Sequence, residues 1–284
     1  MKIPHTILIL TVALSGCGAK LDPFLYTRDR IDAYLLPAQG PDAASTVSPD
    51  RIERLAPIPV GPGHQLGAVY LRGSQSPPRG YALFFRGKGG HLDHQLEHAK
   101  RVANMGYDTL AFDYRGWGTS TDLTPNKETL TEDALAARAY LAQRIGSDQR
   151  ILYYAHSLGT AIATELAASF PPRALVLEAP FASIQDFVQD SSQMDLSWEF
   201  IATDGWNTVE RIKDVDASLL LFHGLEDDGV RPEFGMKIFE NAVNPEGKNR
   251  LELVVGGLHS VAPAMGEAHR TITNQWVEQF IPLP

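Results

Sequence analysis

The sequence predicts an α/β fold, with a mostly parallel central sheet flanked by helices. Three observations carry this expectation. From about residue 51 onward, short apolar runs alternate with segments at helical spacing, the pattern of successive βαβ crossovers. Several runs, such as Tyr81-Ala82-Leu83-Phe84-Phe85, are apolar without alternation, as in strands covered on both faces. The chain has 284 residues, 44% hydrophobic and 21% charged, which suits one large α/β domain and excludes long disorder or a polytopic membrane protein.

Taken in order, Leu66–Arg72 reads as a strand, Ser76–Gly80 as a Pro-rich turn and Tyr81–Phe85 as a buried strand. A polar helix is expected over His91–Asn104, a strand over Tyr107–Asp113 and an alanine-rich helix over Glu128–Arg144. A strand over Arg150–Ala155, a helix over Leu158–Ser169 and a strand over Ala174–Ala179 follow. After an irregular stretch come a strand (Ser218–Phe222), a helix (Pro232–Val243), a strand (Arg250–Val255) and a last helix (Thr271–Phe280). Chemistry in such sheets gathers at the carboxyl ends of the strands, so the residues after each strand are the first to inspect.

The formal charge of −9 disfavours nucleic acid or an anionic surface as the main partner. A single cysteine, Cys17, excludes an internal disulfide and a cysteine-based zinc cluster. The N-terminus carries Lys2, an apolar run from Ile3 to Leu14 and then Ser15-Gly16-Cys17. That run is shorter than the roughly 20 residues a transmembrane helix needs. Leu14-Ser15-Gly16-Cys17 resembles a bacterial lipobox. The resemblance implies a signal peptide over residues 1–16, acyl chains on Cys17 and a protein held on the cell envelope through that residue. Gly18, where an aspartate would signal inner-membrane retention in enterobacterial lipoproteins, implies the outer membrane. Residues 17–50 read as lipidated terminus and tether, because Pro37–Thr46 is small, polar and Pro-containing, although Leu21–Leu36 holds apolar residues that can pack. Residues 51–284 form the expected domain, with a short lid segment at about 181–217.

Three strand ends carry matching chemistry. Ala155-His156-Ser157-Leu158-Gly159 stands between a strand and a helix, the setting of a G-x-S-x-G nucleophile elbow with alanine as its first small residue. A serine hydroxyl needs a base to become a nucleophile; the plain alternative for Ser157 is a helix N-cap. The next candidates are Glu226, Asp227 and Asp228 after the strand ending at Phe222, and His259 after the strand ending at Val255. The order serine, acid, histidine fits a triad in which the imidazole takes the serine proton and the carboxylate orients it. His223 reads as a structural strand-end residue.

Residues 66–282 thereby resemble the α/β-hydrolase superfamily, in its compact branch of depalmitoylating and lysophospholipase-type serine hydrolases. Three further segments carry the resemblance: Phe112-Asp113-Tyr114-Arg115-Gly116-Trp117-Gly118-Thr119-Ser120, Leu177-Glu178-Ala179-Pro180-Phe181-Ala182-Ser183-Ile184, and His223-Gly224-Leu225-Glu226-Asp227-Asp228-Gly229-Val230. The last selects Asp227 as the acid, with Glu178 as runner-up. The branch implies an oxyanion hole from the backbone N–H groups of Leu158 and Lys88. Arg86 replaces the family histidine before Gly87; it either lends positive charge to the substrate pocket or pairs with a local acid such as Asp93. Asp113 and Arg115 read as structural turn residues, with a direct role toward substrate as the alternative. Phe181, Phe187, Met194, Trp198, Phe200 and Trp206 are candidates to line an acyl pocket.

His91, His94 and His98 share one helical face, and His94–His98 has the H-x-x-E-H spacing of some metalloproteases, so a metal is physically possible. The family helix at this place is polar and exposed, however, and no metal or other cofactor is expected in the reaction. Gly87-Lys88-Gly89-Gly90 lacks nucleotide-loop spacing. The expected function is hydrolysis of carboxylic ester or thioester bonds of a small or lipid-like acyl substrate. Alternatives are a catalytically silent envelope lipoprotein that uses the fold for binding, and a peptidase or perhydrolase of the same fold.

Overall fold

A computed structural model describes residues 26–147, 151–186 and 205–281. In chain order its strands are β1 (Asp29–Arg30), β2 (Ile52–Arg54), β3 (Ile58–Pro59), β4 (Gln65–Leu66), β5 (Ala68–Leu71) and β6 (Gly80–Phe85), followed by β7 (Tyr107–Phe112), β8 (Trp117–Gly118), β9 (Ile151–His156), β10 (Ala174–Glu178), β11 (Leu219–Gly224) and β12 (Arg250–Val254). The helices are α1 (Leu92–Asn104), α2 (Lys127–Ile145), α3 (Leu158–Ser169), α4 (Thr208–Arg211), α5 (Pro232–Asn241), α6 (Ala262–Met265) and α7 (Glu267–Val277).

Eight strands make the main sheet in the order β12-β11-β10-β9-β6-β7-β5-β2. The six from β12 to β7 run parallel; β5 pairs antiparallel with β7, and β2 antiparallel with β5 at the edge. The unbroken apolar runs serve two cores at once. Leu83 and Phe85 of β6 join the cluster packed with Leu130 of α2 and Ile162 of α3, and Ala82 and Phe84 join the one packed with Leu96 of α1 and Trp276 of α7. Alternate side chains of one strand face opposite sides, so a sheet covered by helices on both faces demands apolar residues at every position.

Two expectations change here. The strand expected over Leu66–Arg72 is broken at Gly67, where a β-carbon would meet the Thr119 hydroxyl at 2.1 Å and the Tyr34 hydroxyl at 2.5 Å. From Tyr26 onward, the segment read as a tether packs on the domain: β1 pairs with β8, and Tyr26, Tyr34, Leu36, Ser45 and Val47 are buried. Lys100 donates to the Pro37 and Gln39 carbonyls, Arg101 pairs with Asp42 at 2.7 Å, and Asn104 donates to the Ala44 and Thr46 carbonyls. This segment covers α1, so that helix is not the exposed one the family pattern implies. His98, Lys100 and Arg101 are all buried within it.

Candidate active site

Four adjacent strands deliver the chemistry to one rim. At the end of β9, Ser157 occupies φ 52°, ψ −123°, a left-handed conformation that a side chain adopts only under constraint, at about 1–3 kcal/mol. The constraint is visible. The Ser157 N–H donates to the Glu178 carbonyl at 3.0 Å, and a β-carbon on Gly159 would sit 2.2 Å from the Phe85 carbonyl oxygen. Strand and helix approach too closely there for anything but glycine. Ala155 lies within β9 between Leu177 and Phe85, where a methyl group fits, so alanine serves in place of the motif's first glycine.

Beyond β11, the Asp227 carboxylate is buried and fully engaged. Oδ1 accepts the N–H groups of Gly229 and Val230, both at 2.9 Å, and Oδ2 lies 2.9 Å from His259 Nδ1. His223, on the strand itself, approaches the same oxygen at 3.4 Å and donates from Nε2 to the Val230 carbonyl at 2.9 Å. Burial alone raises the Asp227 carboxyl, but the hydrogen bonds from His223 and His259 outweigh it and hold the group ionised well below the usual range. With Nδ1–H committed to Asp227, Nε2 of His259 is left as the basic nitrogen.

Glu178, the other acid considered, is spent elsewhere. Its Oε1 accepts the Val261 N–H at 2.9 Å and the Ser260 hydroxyl at 3.4 Å, and Oε2 accepts the Tyr154 hydroxyl at 3.1 Å. His156, next to the nucleophile, donates from Nε2 to the His259 carbonyl at 3.0 Å. Together Glu178 and His156 fix the backbone of residues 259–261, and hence the direction of the His259 ring.

A cleft of about 450 Å³ has Ser157 and His259 in its walls, together with Gly87, Lys88, Gly89 and Thr27. The loop 86–90 lies against the nucleophile: a β-carbon on Gly87 would come within 3.2 Å of Ser157 Cβ. Leu158 starts α3 directly after Ser157, and Lys88 lines the same cleft as the serine. Burial lowers the Lys88 amine from its ordinary value. A narrower, mostly apolar pocket of about 60 Å³ continues from Ser157, lined by Tyr26, Lys88, Leu158, Phe181, Ile184 and Val230.

Arg86 does not line either space. It is fully buried, its guanidinium pairs with Asp113 rather than Asp93, and it lies 4.9 Å from the Trp117 ring and 5.3 Å from the Tyr114 ring. Neighbouring parallel strands explain the partner: Phe84 is level with Ala111, which brings Arg86 level with Asp113 one step past the strand ends. Nη1 of Arg86 then donates to the Gly87 and Gly90 carbonyls at 2.8 and 3.1 Å, so the guanidinium braces the oxyanion loop from below. Asp93 instead accepts the backbone N–H groups of Leu35 and Leu36. Replacing Arg86 by alanine strands the buried Asp113 charge, and a loss of about 3–5 kcal/mol in a urea unfolding experiment is expected.

Trp206 is also outside the pocket lining; it is buried behind Tyr26, donating from Nε1 to the Tyr26 hydroxyl at 2.7 Å. Trp198, Phe187, Met194, Phe200 and Cys17 lie outside the described residues. Asp113 and Arg115 are buried turn residues: Asp113 accepts the Leu92 N–H and the Tyr34 hydroxyl, and Arg115 pairs with Asp133. Tyr26 and Thr27 were missed by motif reading, because nothing in that segment signals that it turns back over the cleft.

Beneath the site three histidines are buried. Burial lowers His98 to about 3 and lowers His156 and His269 as well. In the unfolded chain each takes up a proton near pH 6.5, while the fold resists it. Their contribution is therefore intact above about pH 6.5 and is lost as pH falls, at up to about 1.4 kcal/mol per pH unit for each histidine. Denaturation midpoints measured from pH 8 downward are expected to start falling there, before ordinary carboxylates titrate.

Comparison with known proteins agrees with this architecture. Residues 76–203 match the family model described as Hydrolase_4, serine aminopeptidase S33. The Mycobacterium tuberculosis protein Rv2307c, described as uncharacterized, is 31% identical over 240 residues, covering 84% of this chain and 83% of its own. Bovine lysophosphatidylserine lipase ABHD12 is 30% identical over 217 residues, or 65% of this chain; the alignment spans about half of the lipase, 54%. Among solved structures, an esterase from Pyrococcus furiosus superposes with a TM-score of 0.68 at 16% identity, covering 90% of this chain and 99% of the esterase. A puromycin-hydrolyzing peptidase from M. tuberculosis gives 0.67 at 17% identity, covering 86% and 41%. With its parallel sheet, its strained serine elbow and these relatives, the chain belongs to the α/β-hydrolase superfamily, as a serine hydrolase in one family with Rv2307c.

Proposed function

We propose that the protein cleaves carboxylic ester or thioester bonds of lipid-like acyl substrates through Ser157, His259 and Asp227, at the membrane to which Cys17 attaches it. The observation that carries the chemistry is the 2.9 Å contact of Asp227 with His259 Nδ1, in a cleft whose wall includes Ser157 at its strained elbow. In this mechanism Nε2 of His259 takes the Ser157 proton as Oγ attacks the acyl carbon. The developing oxyanion accepts the N–H groups of Lys88 and Leu158, and the imidazolium returns its proton to the departing alcohol or thiol. Water, deprotonated by the same imidazole, then releases the acyl group. No cofactor takes part.

Two features support an acyl chain in place of a peptide. The pocket beside Ser157 is mostly apolar, and Lys88, which lines both it and the larger cleft, disfavours a peptide's ammonium terminus and suits an anionic head group. Apolar side chains are also exposed at the rim beside the catalytic loops: Leu225 (44%), Val255 (81%) and Leu258 (58%). Tyr26 stands nine positions after Cys17, a reach of at most about 30 Å, so an acylated Cys17 keeps this rim within reach of its own membrane. The lipase named among the relatives is consistent with a lipid substrate.

The test is a panel of acyl esters from acetyl to palmitoyl, a lysophospholipid in mixed micelles and an aminoacyl anilide, assayed with the detergent-solubilised full chain and with vesicles. Turnover of the longer esters or the lysophospholipid is expected, with none of the anilide; preferential cleavage of the anilide would contradict the proposal. Cys17→Ser is expected to abolish incorporation of labelled palmitate and release the protein from membranes, and unchanged labelling would overturn the attachment.

A further inference from the structure

We propose that Asp29, His91 and His94 form a site for one divalent transition-metal ion of zinc type, which ties the N-terminal segment to the helix that follows the oxyanion loop. The site is separate from the catalytic cleft and does not depend on the reaction proposed above. His91 caps α1 and His94 is the third residue of its first turn; their ring centroids are 4.2 Å apart with planes inclined by 43°. Asp29 arrives from β1, with Oδ2 3.8 Å from His94 Nδ1, a nitrogen that accepts only a long 3.4 Å hydrogen bond from the His91 N–H, which an ion would displace. One ligand atom from each of the three lies within 4.8 Å of the other two.

The independent observation is at His91. Its side chain is buried, at 9% exposure, yet Nδ1 makes no hydrogen bond, and Asp93 Oδ2 is 4.0 Å away. A buried nitrogen without a partner loses its hydration and gains nothing in return, which a bound cation corrects. Two imidazoles and a carboxylate suit zinc, copper or nickel, with water completing the shell. Ligand atoms at about 2.1 Å from a tetrahedral ion stand about 3.4 Å apart. Closing the set therefore takes shifts of tenths of an ångström between Asp29 and His94, and more elsewhere. His94, with its side chain 62% exposed, has room to move. The helix N-terminus by itself disfavours a cation; the carboxylates of Asp29 and Asp93 offset that field.

A second cluster, His98, His156 and Glu178, is equally close but does not fit an ion. Its two imidazoles stack 4.3 Å apart at 22°, so their in-plane lone pairs run nearly side by side and do not converge. The Asp29 site also has a place in the architecture. His91 directly follows Gly90, whose carbonyl holds Arg86, and Asp29 is three residues from Tyr26 in the pocket wall. An ion there braces both walls of the cleft from outside.

The experiment is calorimetric titration of zinc into the untagged, detergent-solubilised full chain after chelator treatment, with cobalt as a spectroscopic reporter. One ion per chain at roughly micromolar affinity is expected, with visible cobalt bands of a nitrogen- and oxygen-ligated site and a raised unfolding temperature. His94→Ala and Asp29→Asn, both at partly exposed side chains, are each expected to weaken binding at least tenfold while leaving the circular dichroism unchanged. Absence of binding at millimolar zinc, or equal binding by both variants and the parent chain, overturns the assignment.

Discussion

Ser157→Ala is expected to lower ester turnover by about six orders of magnitude, to the residual rate that binding and the oxyanion donors sustain alone. The size of the effect follows from what remains: His259 and Asp227 have no hydroxyl to activate, and water is not held at the elbow that aims Oγ. Alanine is as compact as serine, and the Ser157 side chain caps no backbone group of α3, so the fold is expected to stay intact. The elbow is a strained position, and a small gain in unfolding free energy alongside the loss of activity would be in keeping with it. The check is the rate with the best ester of the panel, together with a urea unfolding curve of the same preparation.

Asp227→Asn is expected to cost about four orders of magnitude in kcat, and Glu178→Gln no more than about tenfold. The asymmetry is geometric. An asparagine at 227 keeps its oxygen on the Gly229 and Val230 N–H groups and turns its amide toward His259 Nδ1. That amide donates, so Nδ1 must accept, the ring proton moves to Nε2 and the base can no longer take the serine proton. A glutamine at 178 still accepts the Val261 N–H, so the loop behind His259 keeps its anchor. The pair of variants separates the two acids: a crippled Glu178→Gln beside a nearly normal Asp227→Asn would transfer the acid role to Glu178. The measurement is kcat and KM for each, since a positioning residue is expected to move kcat with little change in KM.

Most of the candidate site was legible in the sequence because each candidate residue follows a strand that a hydrophobic run marks. Ser157, Asp227 and His259 stand just past β9, β11 and β12, and hydrophobic runs reveal strand ends well. The helix over Leu158–Ser169 matches residue for residue, since Ser157 precedes it and Pro171-Pro172 stop it just beyond Phe170. Strand ends were less visible where the ladder outlasts the apolar pattern. β11 continues through His223 and Gly224, and β9 through His156, because backbone pairing does not require an apolar side chain. The last helix begins at Glu267, four residues before the expected start, in a polar turn with no capping residue to mark it.

What stayed hidden is long-range pairing. Asp93 is near Arg86 in sequence, but the parallel register sets Asp113 beside it, and no local pattern encodes that. The covering of α1 by residues 26–51 depends on Lys100, Arg101 and Asn104 binding backbone carbonyls and Asp42; in the sequence these look like an ordinary solvated helix face. Tyr26 is the consequence with the most weight for function. A residue 131 positions before the serine helps wall its pocket, so truncation at the expected domain boundary near residue 51 would open the site.

The most direct measurement is to quench the enzyme during turnover of a slowly deacylating ester and map the adduct by peptide mass spectrometry. The account predicts one acyl group per chain, on the peptide containing Ser157, absent in Ser157→Ala and accumulating when His259 is replaced only with highly activated esters. Turnover by folded protein with no adduct at any stage, or with the acyl group on another residue, would contradict it.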